Sequence, residues 1–142
     1  MDRINRVTLP RPVVEFGRRH HTISADVTRL EEARDFAERA AADFGLGEHD
    51  RYAVRLAMSE GVTNAIRHGS SSPGDPVRLA VFQEGDALVF EVRDTGRFVP
   101  RVARRGRLPE RGRGLEFLRR LMDEVHLRPG AEGTVLRFRK RR

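Results

Sequence analysis

The sequence has no cysteine, and a single lysine, Lys140, stands against 27 arginines. Without cysteine, a disulfide framework, a zinc ribbon, an iron–sulfur cluster and a thiol nucleophile are all excluded. A phosphate-binding P-loop needs Gly-Lys-Ser/Thr, and a conventional protein kinase needs a strand lysine on the phosphates. Lys140 lies in Arg-Lys-Arg-Arg at the end of the chain, so neither scheme is available. Long apolar runs are also missing. No signal-like apolar core follows a basic start, and no stretch approaches the roughly 18 apolar residues of a membrane span. The expectation is a cytoplasmic protein with no membrane association. Aromatics make up 6% of the chain, and no nucleic-acid reading motif is recognisable, which argues against direct nucleic-acid binding.

What is present suits one domain spanning residues 1–142, with 38% hydrophobic and 35% charged residues and enough length for one sizeable core. The net charge of +7 is unevenly placed. Residues 1–71 balance 11 arginines with 11 acids, whereas residues 72–142 hold 17 basic and 10 acidic residues. Seven arginines fall in residues 97–113 against Glu110 alone, and residues 137–142 add five positive charges, leaving the rest of the chain at −4. That is a mildly acidic body with two basic segments, unlike a uniformly basic nucleic-acid binder.

Residues 1–25 read as an N-terminal arm or an edge strand, with Val13–Phe16 or His20–Ile23 as the candidate strand, since Pro10 and Pro12 disfavour helix. A first helix is expected from Thr28, which has capping-box spacing to Glu31; Leu30, Ala33, Ala37, Ala40, Ala41 and Phe44 follow at helical intervals, and Gly45 and Gly47 end it. A second helix runs from about Asp50 to His68 and stops at Gly69. Its Ala53, Ala57, Gly61 and Ala65 recur every fourth residue, a small-residue line suited to close packing on a sheet. Alternating Val77–Val81 and Leu88–Val92 form a hairpin around Glu84-Gly85-Asp86. A third helix is expected near Gly114, burying Leu115, Leu118, Leu121 and Met122, and a second strand pair at Val125–Leu127 and Thr134–Phe138. Residues 139–142 read as a basic tail. The order predicts an α+β two-layer sandwich, a mixed, mostly antiparallel sheet with helices on one face.

Three groups of residues carry chemistry. Glu60, Asn64 and His68 recur at intervals of four on the second helix and share one stripe. An amide oxygen is a hard, neutral ligand for Mg²⁺, and a carboxylate can take a proton from an attacking hydroxyl; the spacing alone also fits a solvated helix face. Asp94-Thr95-Gly96 follows a strand, where a carboxylate can accept from a purine amino group; Asp-X-Gly is equally ordinary turn chemistry. Gly112-Arg113-Gly114-Leu115 leads into the third helix, where backbone N–H groups can face an anion. A flexible glycine linker fits this segment as well. A dinucleotide fingerprint does not, because Phe117 occupies its last glycine position and no strand enters directly.

Taken together and in order, residues 56–69 (LAMSEGVTNAIRHG), 92–100 (VRDTGRFVP), 112–125 (GRGLEFLRRLMDEV) and 133–138 (GTVLRF) resemble the nucleotide-binding boxes of the GHKL, or histidine-kinase-like, ATPases. SEGVTNAIRHG is particularly similar to the anti-sigma regulatory factors, which are bacterial serine-protein kinases, and the resemblance covers about residues 24–139. It implies a histidine-kinase-like ATPase domain binding ATP and Mg²⁺ between helices and sheet. Glu60 would be the general base, Asn64 the Mg²⁺ ligand, and His68 a neighbour of the phosphates. Asp94 would bind the adenine amino group above Gly96; Gly112, Arg113, Gly114 and Leu115 would lie at the phosphates, and Thr134 would support the adenine end. Residues 97–113 would be the ATP lid, and Arg34 would contact a protein partner. Gly96-Arg97-Phe98-Val99-Pro100 departs from the family's usual Asp-X-Gly-X-Gly or Gly-Phe-Asp-Pro; the change bears on the lid hinge and leaves Asp94 untouched. The implied activity is serine/threonine kinase transfer to an anti-sigma-factor antagonist of STAS type, together with sequestration of a sigma factor, in a chain compatible with a homodimer. The alternative is a non-catalytic ATP-sensing module that controls its partner by occlusion.

Overall fold

A computed structural model describes residues 16–69, 72, 74–96 and 110–142; the side chains of residues 68, 69 and 110–113 lie outside the description. Strand β1 is Arg19–Ser24 and contains the candidate His20–Ile23; the other candidate, Val13–Phe16, lies outside the described residues except for Phe16. Asp26 then accepts from the Thr28 N–H at 2.9 Å and opens a single 3₁₀ turn, Val27–Arg29, ahead of helix α1, Leu30–Phe44. The cap is therefore Asp26 and not Thr28. Glu31 turns to Arg34 and Arg55 instead of back to a capping box. Gly45, at φ 95°, closes α1.

Helix α2 is Glu48–Asn64, and Ala65–Gly69 continues it as one wide π turn. Ala53, Ala57, Gly61 and Ala65 are all buried, and Gly61 meets the sheet. A β-carbon on Gly61 would lie 3.0 Å from Leu136 Cδ2 and 3.4 Å from Val92 Cγ2. Strands β2, Pro76–Glu84, and β3, Ala87–Arg93, form the first hairpin. Helix α3, Glu110–Leu121, precedes the second hairpin, β4, Glu124–Gly130, and β5, Gly133–Arg141.

The five strands lie in the order β1-β2-β3-β5-β4. The sheet expected to be mixed is antiparallel at each of its four pairings. α1 lies over β1 to β3 and α2 over β5. Ala33, Ala37, Ala40 and Ala41 of α1, Val54, Met58 and Val62 of α2, and Leu79, Phe90 and Phe138 of the sheet are buried between the layers. Arg55 of α2 clamps the two helices together, reaching Glu38 at 2.6 Å, Glu31 at 2.7 Å and Asp35 at 2.9 Å.

Residues 139–141 are not a tail but the end of β5. Lys140 turns inward, donating to the Leu121 carbonyl at the end of α3 at 3.0 Å, with Asp50 Oδ1 at 3.6 Å. The N–H of Arg141 binds Asp123 Oδ2 at 2.7 Å, and the Arg142 guanidinium lies 4.1 Å from the centre of the Phe44 ring.

Candidate functional site

Two clusters of the expected residues assemble, and the α2–sheet contact joins them. In the first, Glu60 and Asn64 sit on the last turn of α2, facing Gly114 of α3. A β-carbon on Gly114 would lie 3.3 Å from the Glu60 carboxyl carbon and 3.5 Å from Asn64 Nδ2, well inside the reach of the Glu60 carboxylate. The i, i+4 spacing thus delivers a carboxylate and an amide to one junction between helices. Beyond Asn64 the helix continues as the wider π turn Ala65–Gly69, which contains His68.

In the second cluster Asp94 extends the β3–β5 ladder by one residue. Its N–H donates to the Thr134 carbonyl at 3.1 Å, while its Oδ1 accepts from the N–H groups of Gly96 at 3.1 Å and Thr134 at 3.2 Å. Oδ2 has no partner among the described residues. Burial pushes the carboxyl above its ordinary range, and the two N–H bonds oppose that rise without cancelling it. Thr134 is 4% exposed, and its buried Oγ1 also has no hydrogen-bond partner among the described residues. Buried hydroxyls are normally satisfied. Two residues joined by backbone hydrogen bonding thus each leave a polar atom open, one an acceptor and one a hydroxyl.

Gly61 packs on Val92 and Leu136, each two residues along its strand from Asp94 or Thr134. At about 3.4 Å per residue, this puts the Asp94–Thr134 pair within roughly 7 Å of strand from the point where α2 touches the sheet. Gly133 completes this edge. At φ 138° it runs under Asp94 and Thr95, and a β-carbon there would collide with the Asp94 backbone. In the sequence Gly133 only heads the segment GTVLRF; its role as the floor beneath Asp94 depends on a pairing 40 residues apart.

The remaining candidates are distributed otherwise. Helix α3 starts at Glu110, so Gly112 and Arg113 fall within its first turn instead of ahead of it. The side chains of Arg113 and His68 lie outside the described residues, as do residues 97–109 of the expected lid. Leu115 is half-buried and packs on the core, anchoring α3. Arg34 lies on the α1–α2 seam, bonded to Glu31 at 2.8 Å and to Ser59 Oγ at 3.2 Å. No group of three histidines or carboxylates suited to a metal occurs among the described residues. A divalent cation at this site would depend on Asn64 and on the phosphates of its own ligand. No helix among the described residues is long and apolar enough to cross a membrane.

The model of the family described as "Histidine kinase-like ATPase domain" matches residues 23–140. No curated protein matches by sequence. Among solved structures, the fold is similar to the RsbU and RsbW domains of Rv1364c from Mycobacterium tuberculosis, at 23% identity and TM-score 0.68. The match covers 88% of this chain and 32% of that one. It is also similar to the histidine kinase domain of a blue-light activated histidine kinase, EL346, from Erythrobacter litoralis, at 21% identity and TM-score 0.54, covering 84% of this chain and 61% of that one.

Proposed function

Since the chain belongs to the histidine kinase-like ATPase domain family, we propose that it is an ATP- and Mg²⁺-dependent anti-sigma factor with serine/threonine kinase activity. The observation that carries this reading is the convergence of Glu60, Asn64 and Gly114 beside the Asp94–Thr134 pair. The resemblance of residues 56–69 to anti-sigma regulatory factors, and the likeness to a structure that includes an RsbW domain, support the choice within the family.

Asp94 and Thr134 would hold the adenine amino edge, with Gly96 beneath the ring. The backbone of Gly112, Arg113 and Gly114 would face the phosphates, with His68 and Leu115 flanking them. Asn64 would offer its amide oxygen to Mg²⁺, which when bound neutralises phosphate charge. In transfer, a serine hydroxyl of an antagonist of STAS type attacks the γ-phosphorus and the bond to the bridging β,γ-oxygen breaks. ADP departs, and Glu60 takes the hydroxyl proton. Arg34, on the outer seam, would contact a protein partner. The sigma factor is held by the same chain, and a cytoplasmic setting and a homodimer accompany this reading.

Glu60→Gln keeps the shape of the side chain and removes its basicity. It is expected to lower serine phosphorylation by about 10²- to 10⁴-fold while leaving ATP affinity nearly unchanged. The measurement is transfer of labelled γ-phosphate to purified antagonist proteins, alongside nucleotide titration. Transfer by Glu60→Gln at the normal rate overturns the assignment. Partner binding by the unaltered protein without any serine labelling replaces it with the non-catalytic ATP-sensing module.

A further inference from the structure

The face of the sheet opposite the helices carries a row of arginines that the nucleotide site does not use. Arg78 of β2 pairs directly with Arg93 of β3, Arg93 with Val135 of β5, and Val135 with Arg128 of β4. The row spans three inter-strand spacings, about 14 Å, and contains no acid. Like charges directly opposed across strands destabilise a sheet. Arg78 and Arg128 are exposed and meet no carboxylate among the described residues.

The neighbouring row holds part of this charge rigidly. Glu91 is 1% exposed and takes hydrogen bonds from Arg93, at 3.1 Å, and from Arg137, with Arg18 at 3.9 Å. Burial opposes its charge, and the bonds from Arg137 and Arg93 prevail, holding its carboxyl below the ordinary range. One carboxylate thus orients several guanidinium groups but cannot neutralise them all. Arg93, Arg128, Arg137, His126 and Val135 line a basin of about 500 Å³ on this face.

We infer that this face, which carries no helix among the described residues, is a docking surface for an acidic protein, whose carboxylates pair with Arg78 and Arg128. The planar fork of a guanidinium group suits bidentate recognition of a carboxylate. The phenyl ring on this face, Phe82, is covered by Arg18 at 4.5 Å and Arg137 at 5.5 Å, so it offers no platform for nucleic-acid bases. A second copy docked by two-fold symmetry would set this basic face against itself. The inference stands apart from the nucleotide reading, because the row lies on the other side of the sheet from Glu60 and Asn64.

The test uses the full chain and a fluorescein-labelled peptide of ten glutamates, followed by polarisation over a salt series. Arg78→Glu/Arg128→Glu is expected to weaken peptide binding by about tenfold or more, the level of 1.4 kcal/mol. The milder Arg78→Gln/Arg128→Gln should give a smaller loss in the same direction. The control Arg119→Glu/Arg120→Glu, with the same change of charge on exposed positions of α3, should lose much less. Circular dichroism confirms that each variant is folded. Equal losses in the control and the row variants overturn the inference. So does tighter binding of a duplex DNA probe that the row variants abolish, or a self-association of the chain that they abolish.

Discussion

At Asp94, the ease of keeping a proton and the need to lose it for recognition pull in opposite directions. With Oδ1 taken by two N–H groups, a proton on Asp94 would sit on Oδ2 and weaken it as an acceptor for an amino group, yet burial raises the carboxyl above its ordinary range. The folded protein therefore holds this proton more tightly than the unfolded chain, so Asp94 costs stability as pH rises through the window above the ordinary aspartate value. ATP affinity runs the other way and is lost as pH falls through the raised value. A titration of ATP affinity between about pH 4 and pH 7 should show this loss in the unaltered protein and a weak, flat response in Asp94→Asn. A flat response in both proteins removes Asp94 from the adenine site. The residue itself was legible in the sequence as Asp-X-Gly after a strand. Its partner Thr134 followed from the resemblance alone, because the hydrogen bond from Thr134 depends on the register between β3 and β5.

Among the elements, α2 matters most, since it carries Glu60 and Asn64 and sets their height above the sheet. Gly61 lets it approach Leu136 and Val92 closely. Gly61→Val would place a branched side chain into that contact and is expected to lower stability by about 1–3 kcal/mol through overpacking, beyond what better helix propensity restores. Thermal or urea unfolding measures the change, and a variant as stable as the parent contradicts the close approach. The four-residue rhythm that made α2 readable is a local property, and so were the two hairpins. The early start of α3 was hidden because Glu110–Gly114 contains arginines and glycines with no apolar period. The end of β5 was hidden because charged residues occupy both faces there, with Arg139 and Arg141 outward and Lys140 inward, which erases the alternation of a half-buried strand.

Across the whole molecule, composition located the charge correctly but not its geometry. The five positive charges at the chain end belong to a sheet edge and face, and β1 finds its partner β2 more than fifty residues later, a long-range pairing that local pattern cannot report. Lys140 shows what this placement brings about. Its amine is bonded to the Leu121 carbonyl beside Asp50, and its side chain is 17% exposed. The chain therefore has one ε-amine, and its availability to reagents depends on whether the end of α3 is seated on β5. Acylation by an amine-reactive ester, followed at the Lys140 peptide by mass spectrometry, should be slow in the folded protein and should accelerate in Asp50→Asn. A rate equal to that of a free lysine would mean that the seat is open. A residue first noted for its rarity thus becomes a built-in chemical probe of how firmly one helix is held.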